Sequence, residues 1–419
     1  MMPTSRPARR ARHTNAGKSH PGVRALLVAL VGLLAFTGAG AAFAYQSLQG
    51  GIDRHDVDAI MGEDRPERAS SNPDDPYAGN EYNILVMGSD SREGKENQAI
   101  GGGDVAGMRS DTTLLVHISA DRSRVDVVSI PRDLVLEEIP SCPLPNGGTT
   151  DARTAAMGWN DNNRMWNVPF ALGGEGGDVA YAAACTIRSF ENMTDVYVDD
   201  FVVVDMSGME QMVDAIGGVP MCFEEDLYAP KAELDVSAGC HTLDGKTAVA
   251  FARARKGLGD GSDISRIGRQ QELLMNMVEK VLDSNLLTDT ADLYQFLKAA
   301  TSSLTTSDDI GNLSTMVGMA YSLRGIDLED VNFATLPFAW SGDRVKPNQA
   351  SAALWDSIRS DKPMVLPEGA AEDPAQDDTA QDDPGLDDQP QDGSADPDSD
   401  TPSGEEAGTG ATTGTSDAG

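Results

Sequence analysis

Three short runs are apolar at nearly every position: YNILVMG (82–88), TTLLVHIS (112–119) and RVDVVSI (124–130). That is the pattern of strands buried on both faces of a covered sheet. VDDFVVVDM reads as a fourth strand. Helical periodicity follows in VAYAAACTIRSFENM and in SGMEQMVDAIGGV, the latter begun by Ser207 as N-cap and closed by Gly217 and Gly218. Ala248 to Ala254 reads as one or two helical turns after DGKTA. A long helix then starts near Ile264, capped by Ser262 or Asp263. Its predicted buried stripe is Ile267, Leu274, Met277, Val278, Val281 and Leu282. Strand and helix interleave throughout, which predicts an α/β layered domain.

Both ends depart from this pattern. Residues 1–24 carry Arg6, Arg9, Arg10, Arg12, Lys18 and Arg24 and no acidic residue. Residues 25–45 are uncharged and long enough to cross about 30 Å of hydrocarbon as a helix. We read them as an uncleaved anchor rather than a signal peptide, with the N-terminus cytoplasmic and everything beyond Tyr45 outside the cell membrane. Residues 46–80, rich in Asp, Arg, Pro and Ser, read as a linker, and 81–366 as one extracytoplasmic folded domain. From 367 to 419 the chain has no Lys or Arg, few apolar residues and repeated Asp pairs. It buries too little surface to offset its ordering entropy, so a disordered acidic tail is predicted.

Charge makes one stretch conspicuous. The chain holds 67 acidic and 32 basic residues, for a net charge of −35, yet FARARKGLGDGSDISRIGRQQE (251–272) gathers Arg253, Arg255, Lys256, Arg266 and Arg269. Arg266, Arg269 and Gln270 fall at i, i+3 and i+4 in the first two turns of the long helix, beside an N-terminus that favours anions. Pairing with surface carboxylates is the plainer alternative. Three other segments, MGSDSREG, MRSDTTLLVHIS and SIPRDL, put Asp90, Arg92, Arg109, Asp111 and Arg132 at the ends of predicted strands, where open α/β sheets bind ligands. Carboxylates beside arginines suit a divalent cation bridging carboxylate and phosphate oxygens.

The four cysteines, Cys142, Cys185, Cys222 and Cys240, contain no C-x-x-C pair. An even count in an oxidising compartment points to disulfides rather than to zinc. Three pairings are open, and nearest-neighbour closure favours Cys142 with Cys185 and Cys222 with Cys240.

GSDSR, RSDTTLLV, SIPRDL, DDFVVVDMSGMEQMVDAIGGV and AGCHTLDGKTAVAFARAR followed by DISRIGRQQ together resemble the LytR-CpsA-Psr family of bacterial cell-wall proteins. The resemblance covers about residues 80–285. It implies a membrane-anchored, three-layer α/β/α domain with a central mixed β-sheet. It also implies transfer of a glycopolymer from a polyprenyl pyrophosphate carrier onto peptidoglycan, assisted by Mg2+ or Mn2+, as a phosphotransferase-type ligase with accessory pyrophosphatase activity. By the same resemblance Arg109, Arg132, Arg253, Arg255, Arg266, Arg269 and Gln270 contact pyrophosphate, Arg132 also serving catalysis, and Asp90 and Asp111 are the metal-side catalytic carboxylates. One departure is that Met165, in MWNVPF, stands where the family has lysine, with Arg164 as the candidate substitute. Met209, Met212, Val213 and Ile216 are candidates for an apolar groove, with plain core as the alternative.

Rival chemistries find less support. In GCHTLDGKT, Gly239 lies one residue too far from Gly245 for a phosphate-binding P-loop. No G-x-S-x-G occurs, and of five histidines only His117 and His241 fall in the predicted core. A non-catalytic regulator that binds polyprenyl phosphate or wall polymer would keep every arginine without needing both aspartates. No nucleic-acid partner is expected.

Overall fold

Our computed structural model describes residues 42–62, 65–66, 79–89, 108–254, 258, 263–283, 290–302 and 304–365. The predicted strands appear as β2 (Tyr82–Ser89), β3 (Ser110–Ile118), β4 (Val125–Ile130) and β7 (Asp200–Asp205), joined in one sheet by β1 (Asp53–His55), β12 (Leu304–Ser307) and β13 (Val331–Thr335). The order is β1-β12-β7-β2-β3-β4-β13. Pairing is parallel at β1/β12, β7/β2 and β4/β13 and antiparallel at the other three junctions, so the sheet is mixed. β2, β4, β7 and β13 therefore end together on one edge, where β3 begins.

Side chains alternate between the faces of each strand. Leu85, Met87, Leu115, Val128, Phe201 and Val203 face one core, with helices α2 (Val57–Met61), α3 (Val168–Gly173), α4 (Val179–Thr194) and α10 (Gln349–Arg359). Phe190 of α4 sits edge-on between Trp166 and Trp355, at 6.2 and 5.5 Å. Tyr82, Ile84 and Ile118 pack on the other face against Ile310 and against Met319 of α9 (Leu313–Leu323). A third cluster gathers α5 (Met206–Ala215), α6 (Gly245–Arg253) and α7 (Asp263–Asp283), with Phe296 of α8 (Thr290–Thr301) packed against it. It encloses two small ribbons, β8 (Val219–Phe223) with β11 (Gly239–Leu243) and β9 (Leu227–Ala229) with β10 (Leu234–Val236). The remaining strand pairs are β5 (Glu138–Ile139) with β6 (Arg153–Thr154) and β14 (Phe338–Ser341) with β15 (Arg344–Pro347).

Several expectations change. The linker assigned to 46–80 gives way at its start: residues 42–49 form a helix, α1, and Leu48, Ile52, Val57 and Met61 are buried. Arg65 donates to the Glu191 carboxylate at 2.6 Å and to the Val198 carbonyl at 2.6 Å, stacking over Tyr197. The N-cap of α5 is Asp205, which accepts from the Gly208 amide at 2.7 Å, and not Ser207. On α7, Ile267, Leu273, Met277 and Val281 turn inward, whereas Val278 is exposed. Val213 and Ile216 are core, with Met209 packed against them, so the apolar stripe of α5 supports folding.

The predicted anchor, apart from residues 42–45, and the acidic tail from 367 lie outside the described residues. Among the described residues no helix is long and apolar enough to cross a membrane. His55 belongs to β1, and His117 is fully buried with Asn83 at 2.7 Å and Asp361 at 3.2 Å on its two ring nitrogens.

Both favoured disulfides are present, Cys142–Cys185 and Cys222–Cys240, leaving no free cysteine. Cys222 and Cys240 are direct register partners across β8 and β11. The loop they close leads into α6 and the arginine stretch, and closing it restricts the unfolded chain. Reduction should therefore lower unfolding stability by about 2 to 4 kcal/mol. Denaturant titrations with and without reductant measure this, and unreduced denatured protein should show no reactive thiol.

Candidate functional site

The site forms where β3 begins and β2, β4 and β7 end. Position follows from register: Ser89, the last residue of β2, pairs with Ser110, and Asp111 is next in β3. β4 ends at Ile130, and Pro131 turns the chain so that Arg132 reaches back. Its Nη1 donates to Asp111 Oδ1 at 3.1 Å. Asp133, the next residue, lies 3.6 Å from Arg132 and 3.4 Å from Arg344 of β15.

The first turns of α7 supply the other side. Arg266 is only 3% exposed; its Nη2 donates to the Asp111 carbonyl at 2.7 Å and its Nη1 lies 3.8 Å from Asp111 Oδ2. Gln270, one turn on, accepts from the Thr112 hydroxyl at 3.0 Å and donates to the Ala252 carbonyl at 3.1 Å. Gln271 donates to Ser129 Oγ at 2.9 Å. The start of α7 is thereby tied to β3, β4 and the end of α6. Arg269 donates to the Ala254 carbonyl, an acceptor left over at the end of α6. That bond ties the start of α7 to the end of α6.

α6 delivers Arg253 as its last residue. Asp244 caps this helix by accepting from the Thr247 amide at 2.8 Å. Gly245 is required there by a close approach: a Cβ would sit 2.1 Å from the Glu210 carbonyl oxygen of α5. Arg109, exposed, precedes β3 by one residue.

Asp111, Arg132, Arg266 and Gln270 are thus brought together, and Arg109 is placed by sequence on the same edge. Asp90 and Arg255 lie outside the described residues, as do Arg92 and Lys256. Asp90 directly follows Ser89. Arg164 does not take the place of the lysine that Met165 replaces. Its guanidinium donates to the carbonyls of Leu136, Glu137 and Trp159 and to Asp161, all structural partners. Met165 itself bridges Val135 in a strand-like contact. Thr112, Asp133, Gln271 and Arg344 were not anticipated. Thr112 and Asp133 adjoin the singled-out Asp111 and Arg132, which is the one signal that points to them.

Among the described residues no group of three or more His, Cys, Asp or Glu side chains is placed to hold a metal ion. Asp111 offers a single carboxylate, partly exposed and flanked by two guanidinium groups. Magnesium is commonly held by one or two carboxylates together with substrate phosphates and water, and Asp111 fits that mode once phosphate oxygens arrive.

Arginines and a carboxylate converge on the strand ends of a mixed α/β sheet, the edge at which open α/β domains place their ligand sites. The chain belongs to the LytR_cpsA_psr family, whose sequence model matches residues 48–358. It is 27% identical over 318 residues to the cell wall biosynthesis protein LcpA of Corynebacterium glutamicum, covering 70% of this chain and 58% of that one. It is also 27% identical over 256 residues to the polyisoprenyl-teichoic acid–peptidoglycan teichoic acid transferase TagU of Bacillus subtilis, covering 60% of this chain and 67% of that one. The chain thus spans 58% of the length of its Corynebacterium relative. Among solved structures, a LytR-Csp2A-Psr enzyme from Actinomyces oris aligns over 73% of this chain and 95% of its own, at 20% identity and a TM-score of 0.48.

Proposed function

We propose that this protein transfers a glycopolymer from a polyprenyl pyrophosphate carrier onto peptidoglycan, outside the membrane in which residues 25–45 anchor it. The observation that carries this is the Asp111–Arg132–Arg266 cluster at the strand ends of a family domain. Relatives named as teichoic acid transferases and cell wall biosynthesis proteins supply the substrate class.

In this reading Arg109, Arg132, Arg253 and Arg266 bind the pyrophosphate oxygens through charge-assisted hydrogen bonds. An acceptor hydroxyl of peptidoglycan attacks the phosphorus that carries the glycan. The phosphoanhydride bond breaks, polyprenyl phosphate leaves, and the hydroxyl proton passes to the Asp111 carboxylate or to water. Charge accumulates on the leaving phosphate, where Arg132 and Arg266 are already fixed by their neighbours, so stabilisation requires little reorganisation. Asp111, with Asp90, would hold a magnesium or manganese ion that neutralises phosphate charge when bound. Gln270 and Arg269 act as positioning residues, holding α6 and α7 in register.

Incubation of the full-length protein with lipid-linked glycopolymer and peptidoglycan tests this, with a chelator arm. Covalent attachment that requires the protein and stops in chelator is the expected result. Attachment that persists in excess chelator removes the metal from the account, and carrier binding without any attachment favours a regulator.

A further inference from the structure

Helix α9, LSTMVGMAYSL, is uncharged and, apart from Ser314, apolar on its outer side. Met319 is its one buried residue among those described, while Val317 and Tyr321, one turn apart, are 62% and 65% exposed. Gly318 and Ala320 are exposed too. No charged residue occurs between Ile310 and Leu323, in a chain of net charge −35. An acidic protein would ordinarily place carboxylates on such a surface. The first charge beyond it is Arg324, whose guanidinium lies 3.8 Å from the Tyr321 ring centre and donates to the Tyr321 carbonyl at 2.7 Å.

This face has a fixed relation to the predicted anchor. The Gln49 side chain at the end of α1 donates to the Gly311 carbonyl at 2.9 Å and accepts from the Leu313 amide at 2.9 Å, clamping α1 to the first residue of α9. Tyr45 precedes Gln49 by four residues in the same helix, about 6 Å along its axis. The apolar run 25–45 gives way to Gln46, and Phe43 and Tyr45 are themselves exposed. If that run crosses the bilayer, its outer end lies about one helical turn from the start of α9. Aromatic rings with a neighbouring arginine at the boundary of an apolar surface are the composition of a membrane–water interface.

We propose that the outer face of α9, through Val317 and Tyr321 together with Phe43 and Tyr45, rests in the headgroup region of the outer membrane surface and fixes the domain's orientation on it. This rests on the anchor reading given above. The apolar side enters the headgroup layer while Arg324 faces lipid phosphate, as in interfacial helices.

The test uses the full-length protein in liposomes of phosphatidylglycerol and phosphatidylethanolamine. An environment-sensitive fluorophore is placed on Val317→Cys or, on the opposite layer of the fold, on Asp356→Cys, since every native cysteine is in a disulfide. Flotation reports the anchor and brominated lipid reports proximity. Expected are flotation of both variants, with blue-shifted emission and loss of most of it to brominated lipid at position 317 and neither change at 356. Vesicles that float with an unquenched label at 317 overturn the inference and leave the anchor standing, whether that face is open to water or covered by a second copy. Equal quenching at both positions overturns it as well. Failure to float overturns the anchor and the inference with it.

Discussion

Replacing Arg266 by alanine should reduce glycopolymer transfer by on the order of 10²–10³-fold, with most of the loss seen as weakened carrier binding. Arg266 is nearly inaccessible to water and holds the first residues of β3 through the Asp111 carbonyl. Truncation therefore removes a cation from the pyrophosphate and a support from Asp111 at once. Arg266→Lys keeps the charge but not the planar fork, so it should recover part of the binding and less of the transfer. Isothermal titration with polyprenyl pyrophosphate separates the two. A circular dichroism melt reports any loss of fold, so that unfolding is not mistaken for lost contacts. Wild-type affinity in a folded Arg266→Ala protein would show that the cluster is a structural ion network.

Arg122, in the β3–β4 turn, is not a neutral surface cation: it has a positive φ of 58° and donates to the carbonyls of Asn80 and Ser119 at 2.8 and 2.7 Å. Its removal should disturb the turn. Lys362, exposed beyond α10, is the better surface cation to remove, and Lys362→Ala should leave binding unchanged.

The central strands were legible because each is an unbroken apolar run, and burial on both faces leaves little else for such a run to do. β1 was not legible. Its three residues, Asp53, Arg54 and His55, are polar, and it joins the sheet by backbone pairing with β12 alone, which no side-chain pattern encodes. Asp205 and Ser207 are both good N-caps, and local sequence cannot decide between them. The disulfides were favoured by proximity in sequence, and for Cys222 and Cys240 the cause is a hairpin that places them opposite each other.

At the site, residue type carried the information and partner choice did not. Asp111, Arg132 and Arg266 were singled out from charges at strand and helix ends, and the register of β2, β3 and β4 brings them into contact. Arg164 and Arg269 carry the same charge but face carbonyl oxygens at loop and helix ends. Guanidinium groups serve both purposes equally well, so the division follows from the distant strands that present those carbonyls.

Asp111→Ala should abolish transfer while carrier binding persists at or above the wild-type level. The carboxylate repels a bound pyrophosphate, so its loss relieves ground-state repulsion. At the same time the substitution removes the group that orients Arg132 and meets the incoming hydroxyl, and these contributions belong to the transition state. The most direct measurement is parallel carrier binding and covalent transfer to peptidoglycan with wild-type and Asp111→Ala protein. Binding retained with transfer lost is the predicted result; transfer at the wild-type rate in Asp111→Ala would contradict an active site built around this residue.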